Sequence, residues 1–420
     1  MFSAPTQIST TFYRLQRLSR RLWVRTSLVA GLGLITPVLV GFLAPLVPDA
    51  LAEAIKSETV AGLLRILASS MLAVTIFSLS VMVTARQAAS SQVTPRSHQL
   101  LLEDTTTQTV LATFLGAFVY SLFGLIALTT NYTDSRGATV MLGVTLTVIA
   151  LVVLAILRWI EHLTSLGSVI ETTRRVEDAA RAALDVRDSA PCMGARLLDD
   201  TAPIPSGAQD FCADQTGYVQ HIDMNALAEF AAKHEVDLFL LVQPGTMVRQ
   251  GAPLLRHASG ADPKALRAAF TLGDSRVFSQ DPRFGIIVLS EIAQRALSPG
   301  VNDPGTAIDV LTRLQRLLCR PDMKEEAVQY PRLWMRPVTV DALVHDGFDP
   351  IARDGAGVVE VQIRLQKALR PLIQSPDPAM ARAARAASAR ALARAEAALT
   401  LPDDMDRLRA CLPPYSAASA

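Results

Sequence analysis

The chain has 420 residues, of which 50% are hydrophobic and only 19% are charged, and its mean hydropathy is +0.29. Soluble domains are similarly apolar but carry about 25% charged residues, so the charge deficit indicates that part of the chain lies in lipid. This composition excludes disorder of the whole chain, and four cysteines exclude a disulfide scaffold. A formal net charge of +1 argues against a strongly basic nucleic-acid binder.

Four uncharged apolar runs that precede Arg158 predict four transmembrane helices. Each run is close to or longer than the ~20 residues that a helix needs to cross ~30 Å of hydrocarbon. The predicted spans are residues 27–47, 66–85, 109–130 and 138–157, and together they define a transmembrane domain at 27–157. Four such runs so close together disfavour buried helices of a soluble protein.

The distribution of arginines predicts the orientation of these spans. Residues 1–26 hold five arginines and no acid, and they form a basic amphipathic segment, whereas the loop after the first span is acidic. Because positive charge accumulates on the cytoplasmic side, we expect a cytoplasmic N-terminus. Four crossings then return the chain to the cytoplasm, where the C-terminus and everything after the fourth span are also expected.

The first span has a competing interpretation as a cleaved export signal. The arginine pair at 20–21 and the Ala-Leu-Ala sequence at 50–52 resemble a twin-arginine signal and its cleavage site. The apolar run between them exceeds the ~7–15 residues of a signal peptide, which favours a retained anchor.

No Asp, Glu, Lys, Arg or His lies inside any predicted span. Proton-driven pumps keep such residues in the membrane for function, so their absence leaves an anchor, a sensor, or a pore lined by hydroxyls and backbone. The second span is the most polar, and Ser70, Thr75 and Ser78 are its possible pore-lining residues. Bonds between helices are the commoner use of such hydroxyls.

The remainder of the chain predicts a cytoplasmic α+β domain. A helical stalk and linker at 158–210 precede a small β-module at 211–260. In the module we expect a strand at 217–222, a short helix capped near Asp223, and a hairpin over 247–255. The pattern is similar to barrel-sandwich hybrids such as lipoyl and biotinyl carriers. No lysine lies on a hairpin tip, so docking or self-association is favoured over carrier chemistry, and no cofactor is expected.

Helices are predicted for the rest of the domain, at 261–375, followed by an Ala/Arg-rich helix and tail at 376–420. The arginines of that last helix could pack within the domain or contact anionic headgroups. Residues 343–355 mix His345 with several acids but lack metal-ligand spacing, so a cap and turn are predicted there and no metal site. The chain also lacks a Gly-rich phosphate loop and a nucleophile elbow, which disfavours an enzyme.

Residues 296–307 predict a helix stop followed by a helix start. Pro299 and Gly300 end one helix, Asp303 can accept amide hydrogens as the N-cap of the next, and Pro304 suits its first position. The same carboxylate and the Asn302 amide could instead hold a ligand or a cation, or contact the polar cytoplasmic loop predicted at 86–104.

Four segments carry a resemblance to a known family: 89–96, 217–255, 295–304 and 347–351. In them the chain resembles a bacterial family of predicted inner-membrane proteins, a domain of unknown function with a Ser-Pro-Gly-x-Asn-Asp-Pro motif. The commoner Phe and Ser of that family are replaced here by Val93 and Thr94.

The resemblance implies a multi-pass protein of the bacterial inner (plasma) membrane with a cytoplasmic domain, and it brings no activity. It also favours a shared role for the 89–96 and 298–304 segments. Their expected ligand or inter-domain contact residues are Ser90, Ser91, Gln92, Pro95, Arg96, Ser298, Pro299, Gly300, Asn302, Asp303 and Pro304.

Two functions fit these observations. The first is a homo-oligomeric, channel-like or gated conduit whose cytoplasmic domain regulates or assembles it. The second is a membrane-anchored sensor or scaffold that binds a small ligand or protein partner through its cytoplasmic domain. The expected partners are therefore the lipid bilayer, further copies of the chain and that ligand or protein, without nucleic acid.

Overall fold

The computed structural model describes most of the chain beyond residue 54. The described residues are 55–92, 94–97, 105–130, 135–165, 168–200, 204–257, 263–320 and 328–412, with isolated positions between 31 and 48. The chain divides between Thr172 and Thr173 into two compact units. They are called the N-terminal unit and the C-terminal unit below.

The described part of the N-terminal unit contains three long apolar helices: α1 (Ser57–Gln92), α2 (Thr105–Thr129) and α3 (Ser135–Ser165). Their apolar stretches have hydropathies of 2.2, 2.1 and 2.9, and each is long enough to cross a membrane. They confirm the helices predicted at 66–85, 109–130 and 138–157. The span predicted at 27–47 lies outside the described residues, apart from isolated positions.

Helix α2 lies at the centre of the unit. In its apolar window 56% of the residues are buried, against 22% in α1 and in α3. Two close approaches fix the register of α2 against its neighbours. Gly124 packs against Leu64 of α1, where an added Cβ would lie 3.1 Å from Leu64 Cδ1. Tyr120 Oη lies 2.7 Å from Thr145 Oγ1 of α3. Among the described residues, the outward faces of α1 and α3 are therefore exposed.

The C-terminal unit begins at Thr173, inside helix α4 (Val169–Ser189), so most of α4 belongs to it. Its first part contains strands and short helices, in this order: β1 (Ala195–Leu197), β2 (Gln209–Cys212), β3 (Gly217–Ile222), α5 (Met224–His234), β4 (Leu238–Leu240), β5 (Met247–Val248), β6 (Pro253–His257), α6 (Pro263–Ala268) and β7 (Phe270–Gly273). Its second part is mostly helical: α7 (Pro282–Ala296), α8 (Pro304–Leu318), β8 (Tyr330–Met335), α9 (Val340–Asp354), α10 (Val359–Ile373), α11 (Pro378–Ala398) and α12 (Pro402–Arg409).

The strands form two small sheets that share one apolar core with α5. One sheet has the order β1-β8-β4-β6-β2, and the other has the order β5-β3-β7. Strand β8 pairs in parallel with β1 and β4, and the remaining pairs are antiparallel. The sheets therefore draw on residues 195–335 and reach beyond the predicted β-module at 211–260.

The hairpin predicted over 247–255 is wrong. Strand β5 pairs with β3, whereas β6 pairs with β4 and β2 in the other sheet. The turn between them bonds to a different segment, because Gly251 N donates to Ala213 O and Ala213 N donates to Ala252 O, both at 2.8 Å. The short helix predicted after Asp223 is confirmed, with Ala226 N donating to the Asp223 carboxylate at 3.0 Å.

The cap and turn predicted within 343–355 is also wrong, because these residues continue helix α9. The helix starts earlier, at the N-cap Thr339. Leu343, Val344, Phe348 and Ile351 recur at helical spacing and are buried. Gly347 permits close packing inside this helix, since a Cβ there would lie 3.1 Å from Ile286.

Candidate functional site

The helix junction at 298–304 forms as the sequence predicts. Helix α7 ends at Ala296, and α8 begins at Pro304 with Asp303 as its N-cap. Thr306 donates to the Asp303 carboxylate from its backbone N at 3.1 Å and from its hydroxyl at 2.5 Å. The Ser298 hydroxyl donates to Arg295 O at 2.7 Å. The hydrogen bonds and the helix start at the junction therefore explain why Ser298, Asp303 and Pro304 occur at these positions.

The middle of the junction is presented to solvent. Residues 299–303 are all exposed, and the apolar side chain of Val301 is 49% exposed. Asn302 has a φ of 51°, the left-handed region that asparagine tolerates better than most residues. Hydrogen bonds from Thr306 hold the pKa of Asp303 below its ordinary value. The surface that is free to meet a partner is therefore Pro299, Gly300, Val301 and Asn302.

The first predicted contact segment is partly helical. Ser90, Ser91 and Gln92 belong to the last turn of α1, so the polar loop predicted from residue 86 is wrong in its first part. Residues 86–93 contain no proline or glycine that would end the helix before Thr94-Pro95. A turn follows, in which Ser97 N donates to Thr94 O at 3.1 Å, and Pro95 and Arg96 are exposed. This segment lies in the N-terminal unit, and its joint role with 298–304 stays a prediction.

The three possible pore-lining residues of α1 point in different directions. Ser70 and Thr75 are half-buried and donate to carbonyls of their own helix, Ile66 O at 2.7 Å and Met71 O at 2.6 Å. Ser78 is fully buried, on the face of α1 that packs into the bundle. They do not form one polar face.

A different set of residues does form such a face, which we call the outer stripe of α1: Ser69, Ala73, Ser80 and Thr84. All four are exposed, and at helical spacing they lie opposite the buried face, with Ile76 between them. Ser80 donates to Ile76 O at 3.0 Å and Thr84 to Ser80 O at 3.1 Å. Sequence reasoning could not separate these hydroxyls from the others, because it could not tell which face of the helix packs.

Carboxylates in the C-terminal unit are held by arginines. Glu177, 3% exposed, accepts from Arg313 at 2.8 Å and from two nitrogens of Arg316 at 2.7 Å. Burial alone would raise the pKa of Glu177, but the hydrogen bonds from Arg316 and Arg313 outweigh it and lower that pKa. In the part of the chain that the structure describes, no group of His, Cys, Asp and Glu could hold a metal ion.

Two arginines of the Ala/Arg-rich helix α11 also bind a buried carboxylate residue. Arg390 donates two hydrogen bonds to the buried Asp349 carboxylate, at 2.9 and 3.2 Å, and Arg394 donates to the Asp349 backbone oxygen at 3.1 Å. These two side chains therefore join α11 to α9 within the unit.

Comparisons with known proteins identify relatives of this chain. An uncharacterized protein of Mycobacterium tuberculosis (strain CDC 1551 / Oshkosh) is 30% identical over 271 residues, which cover 60% of this chain and 50% of the relative. An uncharacterized protein of Mycobacterium bovis is 29% identical over the same length, with the same coverage. The chain thus spans about half the length of the curated relatives it matches. No solved structure gives a significant match.

A family model described as "Predicted membrane protein (DUF2254)" matches residues 19–371. The match includes the three membrane-length helices that the structure describes, both sheets and the 298–304 junction. It confirms the resemblance inferred from the sequence segments. The chain belongs to this family of predicted membrane proteins.

Proposed function

We propose that the chain assembles into homo-oligomers in the membrane and forms a channel-like conduit lined by the outer stripe of α1. The observation that carries the proposal is the position of this stripe. Ser69, Ala73, Ser80 and Thr84 follow one face of a membrane-length helix, and that face is directed away from the bundle. Small and hydroxyl residues let membrane helices approach closely, which suits contact between copies.

A conduit inside a single copy is disfavoured by the packing of the three helices. The centre of the described bundle contains Leu67, Met71, Phe114, Val152 and Trp159, all buried. Such an apolar interior offers water no continuous hydrogen-bonding path. A polar path is more readily formed between copies, where the outer stripe supplies hydroxyl oxygens and exposed backbone.

The outward face of α3 provides the contrast. Its large exposed residues are aliphatic and include Leu146, Val153, Leu154 and Leu157. Lipid tails are as apolar as leucine, so this face suits direct contact with the bilayer. Helix α1 also exposes large apolar residues beside its stripe, among them Ile66 and Phe77 at 67% and 64%. The proposal therefore places only the narrow outer stripe of α1 against other copies, and its flanks, like the face of α3, against lipid.

The topology belongs to the same proposal. Four spans, including the one at 27–47, cross the bacterial inner membrane and leave both termini in the cytoplasm. The arginine-rich N-terminal segment and the acidic loop that follows the first span support this orientation. The C-terminal unit then serves as the cytoplasmic gate or assembly platform.

Planar-bilayer recording tests the conduit with two matched variants. Ala73→Leu places a large apolar side chain in the outer stripe of α1, and Ala150→Leu makes the same change on the exposed face of α3. We expect the purified protein to conduct, Ala73→Leu to reduce unit conductance by narrowing and drying the path, and Ala150→Leu to leave it unchanged. Absence of conductance under any tension, voltage or ligand would contradict the conduit. Equal effects of the two variants on unit conductance would contradict a conduit lined by the outer stripe of α1.

The exposed junction favours a second function, a sensor or scaffold that docks a partner on the C-terminal unit. Pro299, Val301 and Asn302 are exposed, although the helices around them are well packed. The combined change Val301→Ser and Asn302→Gly removes the apolar and amide groups while keeping the left-handed turn accessible. We expect this variant to fold and to lose the cellular phenotype of the wild type, and normal behaviour in cells would contradict the docking role.

A further inference from the structure

The buried polar atoms of the described membrane helices that lack a hydrogen-bond partner include Ser78 Oγ on α1 and Trp159 Nε1 on α3. Ser78 is 0% exposed and Trp159 is 4% exposed. Ser78 differs in this respect from Ser70, Thr75 and Ser80, whose hydroxyls donate to carbonyls of α1 itself.

Helix register places the first of these atoms level with the start of α2. The contact between Leu64 and Gly124 ties α1 to its antiparallel neighbour α2. Ser78 follows Leu64 along α1 by about four helical turns. Val110 precedes Gly124 along α2 by the same separation, so Ser78 lies level with Val110.

The second atom lies close to the same level. The Tyr120–Thr145 bond ties α3 to α2. Trp159 follows Thr145 along α3 by the same separation of about four helical turns, which sets it level with Thr106 of α2. Since Thr106 and Val110 are one helical turn apart, the levels of Trp159 and Ser78 differ by about 6 Å.

The two side chains also face the same interior. Trp159 and Val110 belong to one apolar cluster, which also includes Met71 further along the bundle. Ser78 lies two helical turns after Met71, on the same face of α1. Thr107 and Gln108 of α2 are buried in this layer at 2% and 4% exposure, so polar side chains from all three helices concentrate at one depth.

We propose that Ser78 and Trp159 bind a buried water molecule between α1 and α3. An indole N–H can only donate, and a serine hydroxyl can both donate and accept, so a single water satisfies both. Buried waters typically make about three hydrogen bonds to groups that lack other partners. The site is independent of the proposed conduit, because both residues face the interior of one chain rather than the outer stripe.

Ultraviolet resonance Raman spectroscopy tests the site, since the indole vibrations report whether the N–H is hydrogen-bonded. Subtracting the spectrum of Trp159→Phe from that of the wild type isolates Trp159 from Trp23 and Trp334. In the wild type we expect the Trp159 band at the position of a hydrogen-bonded indole. In Ser78→Ala we expect this band to shift to the position of an unbonded indole. The Trp159 spectrum of Ser78→Ala is obtained by subtracting the spectrum of the double variant Ser78→Ala, Trp159→Phe. Ser80→Ala, which alters an exposed hydroxyl nearby on the same helix, is the control and should produce no shift.

Two outcomes overturn the proposal. An unbonded indole in the wild type means that the layer is dry, and this result needs no serine variant to fold. A hydrogen-bonded indole that persists in Ser78→Ala removes Ser78 from the site. Conductance and assembly are not read in this experiment, so its failure leaves the proposed conduit untouched.

Discussion

The two units satisfy their polar groups in opposite ways. In α1, α2 and α3, hydroxyls such as those of Thr75, Ser121 and Thr147 donate to carbonyls four residues earlier in the same helix. In the C-terminal unit, two-pronged arginine–carboxylate contacts join separate elements, as between Arg316 and Glu177 or between Arg283 and Asp346.

This difference in hydrogen bonding follows from the surroundings that lipid and water provide. A charge in the bilayer interior is strongly unfavourable, so bonds within each helix and close packing are the favoured solution there. Helices held in this way have few directional ties to one another and can present an outer face to further copies. Arginine–carboxylate pairs in the C-terminal unit tie particular helices together, which suits a rigid platform.

The largest expected effect comes from removing the buried carboxylate of Glu177. In Glu177→Ala, Arg316 is 54% exposed and Arg313 keeps its contact with Asp309, so we expect a loss of about 1.5–3 kcal/mol, the contribution of hydrogen bonds to charged groups. The neighbouring Asp178→Ala removes only the exposed pair with Arg174, which is worth about 0–1 kcal/mol. The free energy of unfolding of the C-terminal unit in detergent-solubilised protein measures both. Similar losses in the two variants would contradict the structural importance of Glu177.

The next effect concerns a turn that packs against a second buried ion pair. Gly245 has a φ of +87°, and a Cβ there would overlap the Asp281 carboxylate, which Arg276 holds in place. Gly251 has a similar φ of +82° with open space around it. Gly251→Ala should therefore cost about 1–2 kcal/mol from backbone strain alone, and Gly245→Ala should cost more. Equal losses of unfolding free energy would show that the clash relaxes freely.

A smaller effect is the pH dependence that Glu177 imposes. Its pKa is lowered from the ordinary 4.5 on folding. Its contribution is therefore fully present above pH 4.5 and is lost as pH falls through the lower folded pKa. Unfolding free energy followed from neutral pH downward should fall below pH 4.5 in the wild type and more gently in Glu177→Gln. Identical slopes of unfolding free energy against pH in the two proteins would show that Glu177 is not the group whose titration causes the loss.

The smallest effect lies in the membrane. Tyr120→Phe deletes the hydrogen bond to Thr145 between α2 and α3, while Thr145 keeps its own bond to Met141 O at 2.7 Å. Bonds of this kind contribute about 0.6 kcal/mol on average. Unfolding in detergent should show a loss of that size, and the exposed Thr147→Ala should show almost none. A loss as large as that of Glu177→Ala would erase the contrast between the units.

Sequence reasoning succeeded where the signal is local. The three described membrane helices follow from uncharged runs, and the caps at Asp223 and Asp303 follow from the residues next to them. It failed for β5 and β6, because their partners are distant in sequence and place them in different sheets. It also failed at residues 343–354, which continue a helix that begins at Val340 after the N-cap Thr339.

The candidate site shows the same division. The junction at 298–304 was predictable because Pro299, Asp303 and Pro304 act on their own backbone. The outer stripe of α1 was not, because a helix rich in hydroxyls does not reveal which side packs until its neighbours are placed. Glu177 gave no signal for a similar reason, since Arg313 and Arg316 are its distant partners, 136 and 139 residues further along the chain.

Disulfide cross-linking in membranes tests the central claim most directly. In a variant without Cys192, Cys212, Cys319 and Cys411, a single cysteine replaces Ser80 on α1 or Thr147 on α3, both exposed hydroxyl positions. Oxidation should yield covalent dimers of Ser80→Cys and few or none of Thr147→Cys. Absence of dimers at position 80, or equal yields at both positions, would contradict assembly through the outer stripe.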